Sequence, residues 1–302
     1  MLDSISKPWF LCLLVVTQAS LMGQPAATAL TSVGIGYSQS SIAEASYVAN
    51  SAIKLGSTSL GEIDTTHFRV RYGVSAPASK RYSWRMGVEY ERYSFGVPGG
   101  AFLPNTLQSV AVNLGNTLRV GDKWALQFEM DPGVYSDFED MDWEDLNAPL
   151  SFRALYFHRP NLIWTLVVIG NIKSEFPIVG GIGARWLPTE RLTVDVILPR
   201  PQVAYEASDR ITLFAGGEFK GGGYRVAEDF GSRLGRPDLN DQDVFYREAR
   251  VGGGFKCKLT EKVSAVLEGG WVIDRRFTYV DRNLQLNGDG AGYFQIAIRG
   301  RY

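Results

Sequence analysis

Apolar and polar side chains alternate with a period of two along nearly the whole chain. No other feature of the sequence restricts its fold so severely. Phe68, Val70, Tyr72 and Val74 share one face, while His67, Arg69, Arg71 and Gly73 share the other. Tyr82, Trp84, Met86, Val88 and Tyr90 oppose Arg85, Glu89 and Glu91 in the same way. The pattern returns around Val110–Val120, Trp124–Met130, Val251–Leu259 and Val263–Ile273. Strands of a β-sandwich also alternate, but they are near five or six residues long. Several segments here run beyond about ten residues, the length of a tilted strand that crosses a bilayer.

Such a strand needs no long apolar run. The longest after the N-terminus, Leu162 to Ile169, is far short of the roughly 20 residues of a spanning helix. The chain has 33 glycines and 12% aromatic residues, and no segment carries a sustained helical stripe. A formal net charge of −1 gives no basic footprint for nucleic acid.

The first residues read as an export signal. Lys7 precedes the apolar run Trp9–Val16, and Ala27-Thr28-Ala29 fits a small-residue cleavage site, with an earlier cut after Ala19 as a second choice. The run is too short to be a membrane anchor, and Leu11 before Cys12 does not suit a lipoprotein site. The expected organisation is a cleaved signal over residues 1–29, a flexible segment over 30–44 and a barrel over 45–302. After cleavage Cys257 is the only cysteine, so no internal disulfide can form.

Connection lengths give a second, independent line. Outer-membrane barrels join their strands by short periplasmic turns and longer outer loops. Counting back from Tyr302 on the periplasmic side, 281–290, 222–243, 173–177, 136–149 and 96–105 fall outside. Thr260-Glu261, Ser208-Asp209, Pro188-Thr189, Arg159–Asn161, Gly121-Asp122 and Pro77–Arg81 fall inside. The alternation holds only if Leu192–Leu198 and Gln202–Glu206 are two strands, joined by Pro199-Arg200-Pro201 as an outer turn. With one more strand over Tyr47–Leu55 the fold is an all-β antiparallel transmembrane barrel of 12–14 strands, 14 favoured. Tyr82, Trp84, Trp124, Trp164, Trp186, Tyr205 and Tyr302 gather at the turns assigned to the periplasm, as an interfacial girdle does.

The C-terminal stretch Tyr293–Tyr302 alternates to its last residue, so it is expected to pair with the first strand and close the barrel. It also resembles the terminal strand by which barrel-insertion machinery recognises outer-membrane proteins. That machinery and the outer-membrane lipid are the partners expected.

Chemistry is sparse. His67 alternates with the lumen set and His158 sits at a turn. Neither has the Ser or ligand spacing of a hydrolase or metal site. Asp137, Glu139, Asp140, Asp142, Glu144 and Asp145 form an acidic run that could offer oxygen ligands to Ca²⁺, although the glycine of an EF-hand loop is missing. Gly221-Gly222-Gly223 and Gly252-Gly253-Gly254 precede no helix and read as bulges or close packing. The lumen set is Arg69, Arg71, Arg85, Glu89, Glu91, Arg119, Glu129, Arg153, Arg185, Glu218, Glu248, Arg250, Glu268, Arg299 and Arg301. Its mixed charge suits either an ion-paired plug or a narrow polar conduit.

The stretches "GDKWALQFEMDPGVYSDFEDMDWED" and "FPIVGGIGARWLPTERLTVDVILPRPQVAYEASDRITLFAGGEFKGGGYRV", with "FYREARVGGGFKCKL" and "VSAVLEGGWVIDRRFTYVD", resemble a family of bacterial proteins catalogued as a domain of unknown function. The resemblance implies an exported outer-membrane β-barrel and transfers no catalytic, cofactor or binding residue. The function expected is a narrow passive pore for small polar solutes or a structural envelope protein, without enzymatic activity or cofactor. The alternative is a lipid hydrolase or protease on a barrel scaffold.

Overall fold

A computed structural model describes residues 36–302; the expected signal, 1–29, lies outside the described residues. Its seventeen strand segments are β1 (Ser38–Leu55), β2 (Thr58–Pro77), β3 (Tyr82–Phe95), β4 (Thr106–Val120), β5 (Trp124–Met130), β6 (Gly133–Ser136), β7 (Leu146–Asn147), β8 (Leu150–Arg159), β9 (Leu162–Gly170), β10 (Ile178–Trp186), β11 (Leu192–Asp195), β12 (Gln202–Glu206), β13 (Ile211–Arg225), β14 (Asp243–Lys258), β15 (Val263–Tyr279), β16 (Leu284–Gly288) and β17 (Ala291–Arg301). Asp131-Pro132, Ala148-Pro149 and Asp289-Gly290 interrupt β5/β6, β7/β8 and β16/β17. Two of these breaks carry a proline, which has no N–H to give to a ladder. Counted across the breaks, the wall is a closed antiparallel barrel of 14 strands. β1 closes it, bonding β2 along one edge and β17 along the other from Ser40↔Arg301 to Val48↔Tyr293.

The alternating faces sort as period two requires. Phe68, Val70, Tyr72, Met86, Val88, Leu213, Phe294 and Ile296 are exposed on the outer surface, while His67, Arg71, Glu89, Glu91 and Gln295 are buried inside. Apolar rows turned outward are stable only against hydrocarbon, which makes the chain an outer-membrane barrel. Trp84, Trp124, Trp164, Trp186, Tyr205 and Tyr302 are exposed at the short-turn end, where a girdle meets the interface.

Three expectations are corrected. The barrel begins at Ser38, so the flexible segment does not reach 44; the polar Ser38-Gln39-Ser40-Ser41 conceals strand that β2 and β17 pair on both edges. A register shift between Val48 and Ser51 breaks the period in β1. Tyr47 therefore faces out while Ser51 and Ile53 face in. The Pro199-Arg200-Pro201 turn is no outer loop. β11 and β12 are only four and five residues long, and their connection tucks Ile197 and Leu198 against Val167, Ile169 and Val179.

The wall also changes its strand number with height. Near the periplasm all 14 strands take part. Higher up, β6 leaves β7 and bonds β13 in parallel at Ser136↔Arg225, with the Asp137 amide donating to the Arg225 carbonyl at 3.0 Å. Above that fork the ring is β1, β2, β3, β4, β6, β13, β14, β15 and β16. The strands β8 to β12 end lower and form a separate flap in the wall.

Candidate functional site

The nine-strand outer ring is filled by apolar side chains. Each strand contributes at least one buried residue: Ile53, Ile63, Tyr93, Leu107, Tyr135, Tyr224, Tyr246, Phe277 and Leu286. Tyr246 lies 4.7 Å from Phe277 and 5.0 Å from Tyr93 between ring centroids, and Phe95 lies 5.1 Å from both Tyr246 and Phe277. Such tilted and edge-on contacts add to the burial of large apolar area. Ala101 and Leu103 from 96–105, with Val226, Phe230 and Leu239 from 226–242, close the core from above. The outer loops thus continue the apolar core and cap the outer mouth.

Tyrosine hydroxyls mark the lower boundary of this core. Tyr246 donates to Glu248, Tyr93 to Glu91 at 3.1 Å, and Tyr135 to the Asp131 carbonyl at 2.8 Å. Fully buried Arg275 sits at the same level, donating to Ser51 at 2.5 Å, Thr65 at 3.0 Å and the Ile63 carbonyl at 3.1 Å.

Below it lies a lattice of ion pairs. On β2–β5, Arg69 meets Glu89 at 2.8 Å, Arg71 lies 3.5 Å from Glu89 and bonds Glu129, and Arg85 lies 3.9 Å from Glu129. On the facing wall Lys220 bonds Glu44 and lies 3.8 Å from Glu218, while Arg200 bonds Glu268 and lies 3.4 Å from Glu218. Arg250 donates to Glu248 at 2.6 Å and to Gln295 at 3.4 Å, and its guanidinium covers the Tyr293 ring at 4.9 Å. Lys220–Glu44 and Arg200–Glu268 join non-neighbouring strands, so they span the lumen. His67, 2.9 Å from Glu91 and 3.8 Å from Glu44, links the two groups. Arg299 lies lower, across from Ser264 in the β15–β17 ladder.

Sequence reading placed Arg69, Arg71, Arg85, Glu89, Glu129, Glu218, Arg250, Glu268 and Arg299 on one inner surface and gave no pairing among them. It missed Lys220 and Glu44. Arg200 it assigned to an outer turn. The two prolines flanking Arg200 resemble a surface turn, and only the short β11–β12 hairpin brings that turn down to mid-lumen.

Most carboxylates of the acidic run are engaged by backbone amides and arginines. Asp137 accepts from the Ala227 amide at 2.9 Å and the Glu139 amide at 3.1 Å; Asp142 accepts from the Glu144 amide at 2.6 Å; Asp145 accepts from the Asp142 amide at 3.2 Å. Glu139 pairs with Arg233 and Glu144 with Arg225. Asp140 is exposed. Among the described residues no three such side chains converge as metal ligands, because backbone caps and arginines have taken most of the carboxylates. Burial holds the Asp137 carboxyl above its ordinary range.

A seam runs down the wall beside the flap. Among the described residues, no backbone pairing joins Ile178–Gly183 of β10 to Lys220–Tyr224 of β13; the last links are the Val196 amide to the Ala184 carbonyl and the Phe219 amide to the Pro199 carbonyl, each at 2.9 Å. The 171–177 loop lies across the top of the seam. Lys173 bonds the Glu144 carbonyl and rests on Gly223, where a Cβ would strike the Lys173 carbonyl. Phe245 and Arg247 point away from the lumen, yet are buried at the seam with Ile169, Val179, Asn171 and Phe176. Gly221, at φ +123°, pairs with Arg247 beside them, and a Cβ there would strike the Tyr246 carbonyl. Both strand edges lie at membrane depth, where open backbone groups persist only against protein or a cavity.

Residues 39–288 match the family model described as Domain of unknown function (DUF6268). No curated protein matched the sequence. Among solved structures, a deletion mutant of the TodX monoaromatic hydrocarbon channel is similar at a TM-score of 0.50 and 8% identity, over 91% of this chain and 92% of that one. An outer-membrane channel from Pseudomonas putida F1 is similar at 0.45 and 9%, over 91% and 98%. The toluene transporter TbuX of Ralstonia pickettii is similar at 0.44 and 10%, over 89% and 90%. At these identities the likeness is one of fold.

Proposed function

The chain belongs to that family of unknown function, and from its own geometry we propose an outer-membrane channel that passes small apolar solutes through the side of its wall. One observation carries this reading. The outer end is filled by a dry aromatic core, while the wall beside β10 has two unpaired strand edges at membrane depth. A solute moving along the axis meets Tyr93, Tyr246 and Phe277. A solute at the seam meets Ile169, Val179, Ile197 and Leu198, which lead into the lumen. The channel and transporter named above, for monoaromatic hydrocarbon and for toluene, are in keeping with this class of solute.

The test is entry of N-phenyl-1-naphthylamine into Gram-negative cells that express the chain, because lipopolysaccharide otherwise slows this apolar dye. Expression raises the rate of dye entry. Planar bilayers with the purified barrel show only brief, small ionic steps. Large stable steps without faster dye entry would overturn the proposal in favour of a polar pore, the second reading, which the charged lumen lining favours. The expectation that insertion machinery reads the terminal strand is kept as a proposal. It rests on β17 pairing along both edges, and on the Tyr302 amide and carbonyl both bonding Gln39 at 2.9 Å.

A further inference from the structure

The formal net charge of −1 conceals a separation of charge along the barrel axis. In the segments at the short-turn end, 78–81, 119–123, 158–161, 187–191, 206–210, 256–262 and 299–302, lysine and arginine number twelve and aspartate and glutamate five. A carboxylate on Tyr302 raises the acids only to six. The two ends also differ in pairing. At the outer end Lys54, Lys173, Arg225, Arg233 and Arg236 each meet a carboxylate of the chain. At the short-turn end Arg81, Arg210, Lys258 and Arg301 are exposed and form no ion pair among the described residues. Lys262 lies 6.0 Å from the centroid of the Tyr302 ring.

The strand register sets like charges side by side. The Arg119 amide donates to the Arg81 carbonyl at 2.7 Å, the Lys258 amide to the Arg210 carbonyl at 2.8 Å, and the Arg301 amide to the Lys262 carbonyl at 2.8 Å. Each bond places two cations opposite one another at the ends of adjacent strands, and like charges so placed are destabilising. The last two pairs stand on four neighbouring strands, β13, β14, β15 and β17. By period two, Arg119, Lys258 and Arg301 continue the rows that turn Thr117, Arg250 and Ala297 inward. They therefore rim the mouth of the lumen, while the lipid-facing surface at this end carries Trp84, Trp124 and Tyr302. A ring of lysine and arginine around a pore mouth draws anions to it.

We propose that this basic rim docks an acidic polypeptide segment of a periplasmic protein across the mouth. The cations are exposed and spread around the rim, so a small anion meets one or two screened charges and gains little. A segment of closely spaced carboxylates meets several at once, and each contact after the first is made at high effective concentration. Headgroups of the inner leaflet face the girdle aromatics, whereas the rim belongs to the lumen-side rows. The chain does not supply the acids itself, because its acidic run, 137–145, is at the outer end. The proposal is independent of side entry through the wall.

The experiment is fluorescence anisotropy of labelled oligoglutamate and oligoglutamine peptides of equal length, titrated with the full barrel in neutral detergent. At low salt the glutamate peptide binds at least about tenfold tighter than the glutamine peptide, and added salt shrinks that advantage severalfold. Arg210→Glu combined with Lys262→Glu lowers the glutamate-peptide affinity about tenfold. Arg236→Gln at the outer end leaves it unchanged. Heat-modifiable mobility on gels reports whether each variant is folded. If the double variant fails to fold, the two peptides on the native barrel and their salt dependence still decide. Equal affinity for the two peptides overturns the proposal, as does an unchanged affinity in the folded double variant or an equal loss in Arg236→Gln. Native mass spectrometry tests the lipid alternative. Phosphatidylglycerol retained by the native barrel and lost from the double variant, with no preference for the glutamate peptide, assigns the rim to lipid and overturns the proposal.

Discussion

Followed upward from the periplasm, β1 first turns Glu44 and Ser46 into the barrel, and past its register shift turns in Ile53. β14 does the same with Arg250 and Glu248, then Tyr246 and Val244. The same strands thus build two unlike interiors. In the periplasmic half, 14 strands enclose charges that must find one another across a lumen. In the outer half, nine strands enclose apolar rings that need only be packed. The difference follows from size: a narrow ring can be filled by side chains alone, and a wider one cannot. In the wider half, cross-lumen ion pairs and the inturned β11–β12 connection occupy the space.

The comparison is broken most severely by removing one partner of a spanning pair. Lys220→Met leaves Glu44 buried without its cation and is expected to cost about 3–5 kcal/mol, read as a lower urea midpoint of the barrel in detergent. Adding Glu44→Gln should recover most of that loss. Recovery is the mark of a polar lattice, since the outer core offers nothing equivalent. Phe277→Ala in the outer ring should cost a similar or slightly smaller amount, about 3–5 kcal/mol from lost burial and cavity, and no second substitution should rescue it. It should also raise ionic conductance, because the axial barrier is apolar filling.

Gly223→Val sharpens the contrast at the seam. A side chain there collides with the Lys173 carbonyl, so the loop over the seam must lift. Dye entry should rise severalfold while the stability read from urea unfolding changes by about 1 kcal/mol or less. The smallest effect concerns the lid. Asp137 receives the Ala227 amide, and its burial raises the carboxyl above its ordinary value of 3.8. A carboxyl raised by folding favours the folded lid when protonated, so its contribution is greatest below that value and declines as pH rises through the raised range. Protease nicking within 226–242 should accordingly increase modestly over that window, and Asp137→Asn should flatten the dependence.

The wall was legible in the sequence because period two and a bilayer leave little choice: each outward row must be apolar over its whole length. Phe68, Val70 and Tyr72 announce their face, and the girdle tryptophans announce the level. What stayed hidden depends on pairing between distant strands. Asp137 reads as one of six acids, and only the fold brings Ala227 to it. Arg200 reads as a loop cation, and only the early end of β11 lowers it into the lumen. Tyr93, Tyr135, Tyr224 and Tyr246 alternate with polar residues as lumen side chains would. That they meet in one dry core follows from the loss of five strands from the ring, which no local pattern records.

That loss begins where β6 exchanges neighbours, bonding β7 through Gly133 and Val134 and β13 through Ser136. The junction behaves as the fork of a zipper. Shifting it by one residue pair trades a bond to one neighbour for an equivalent bond to the other, with little net change in hydrogen bonding. The height at which the barrel narrows is therefore set by the side chains beside the fork and hardly at all by the backbone, so substitutions there adjust the depth of the aromatic stopper without unmaking the barrel.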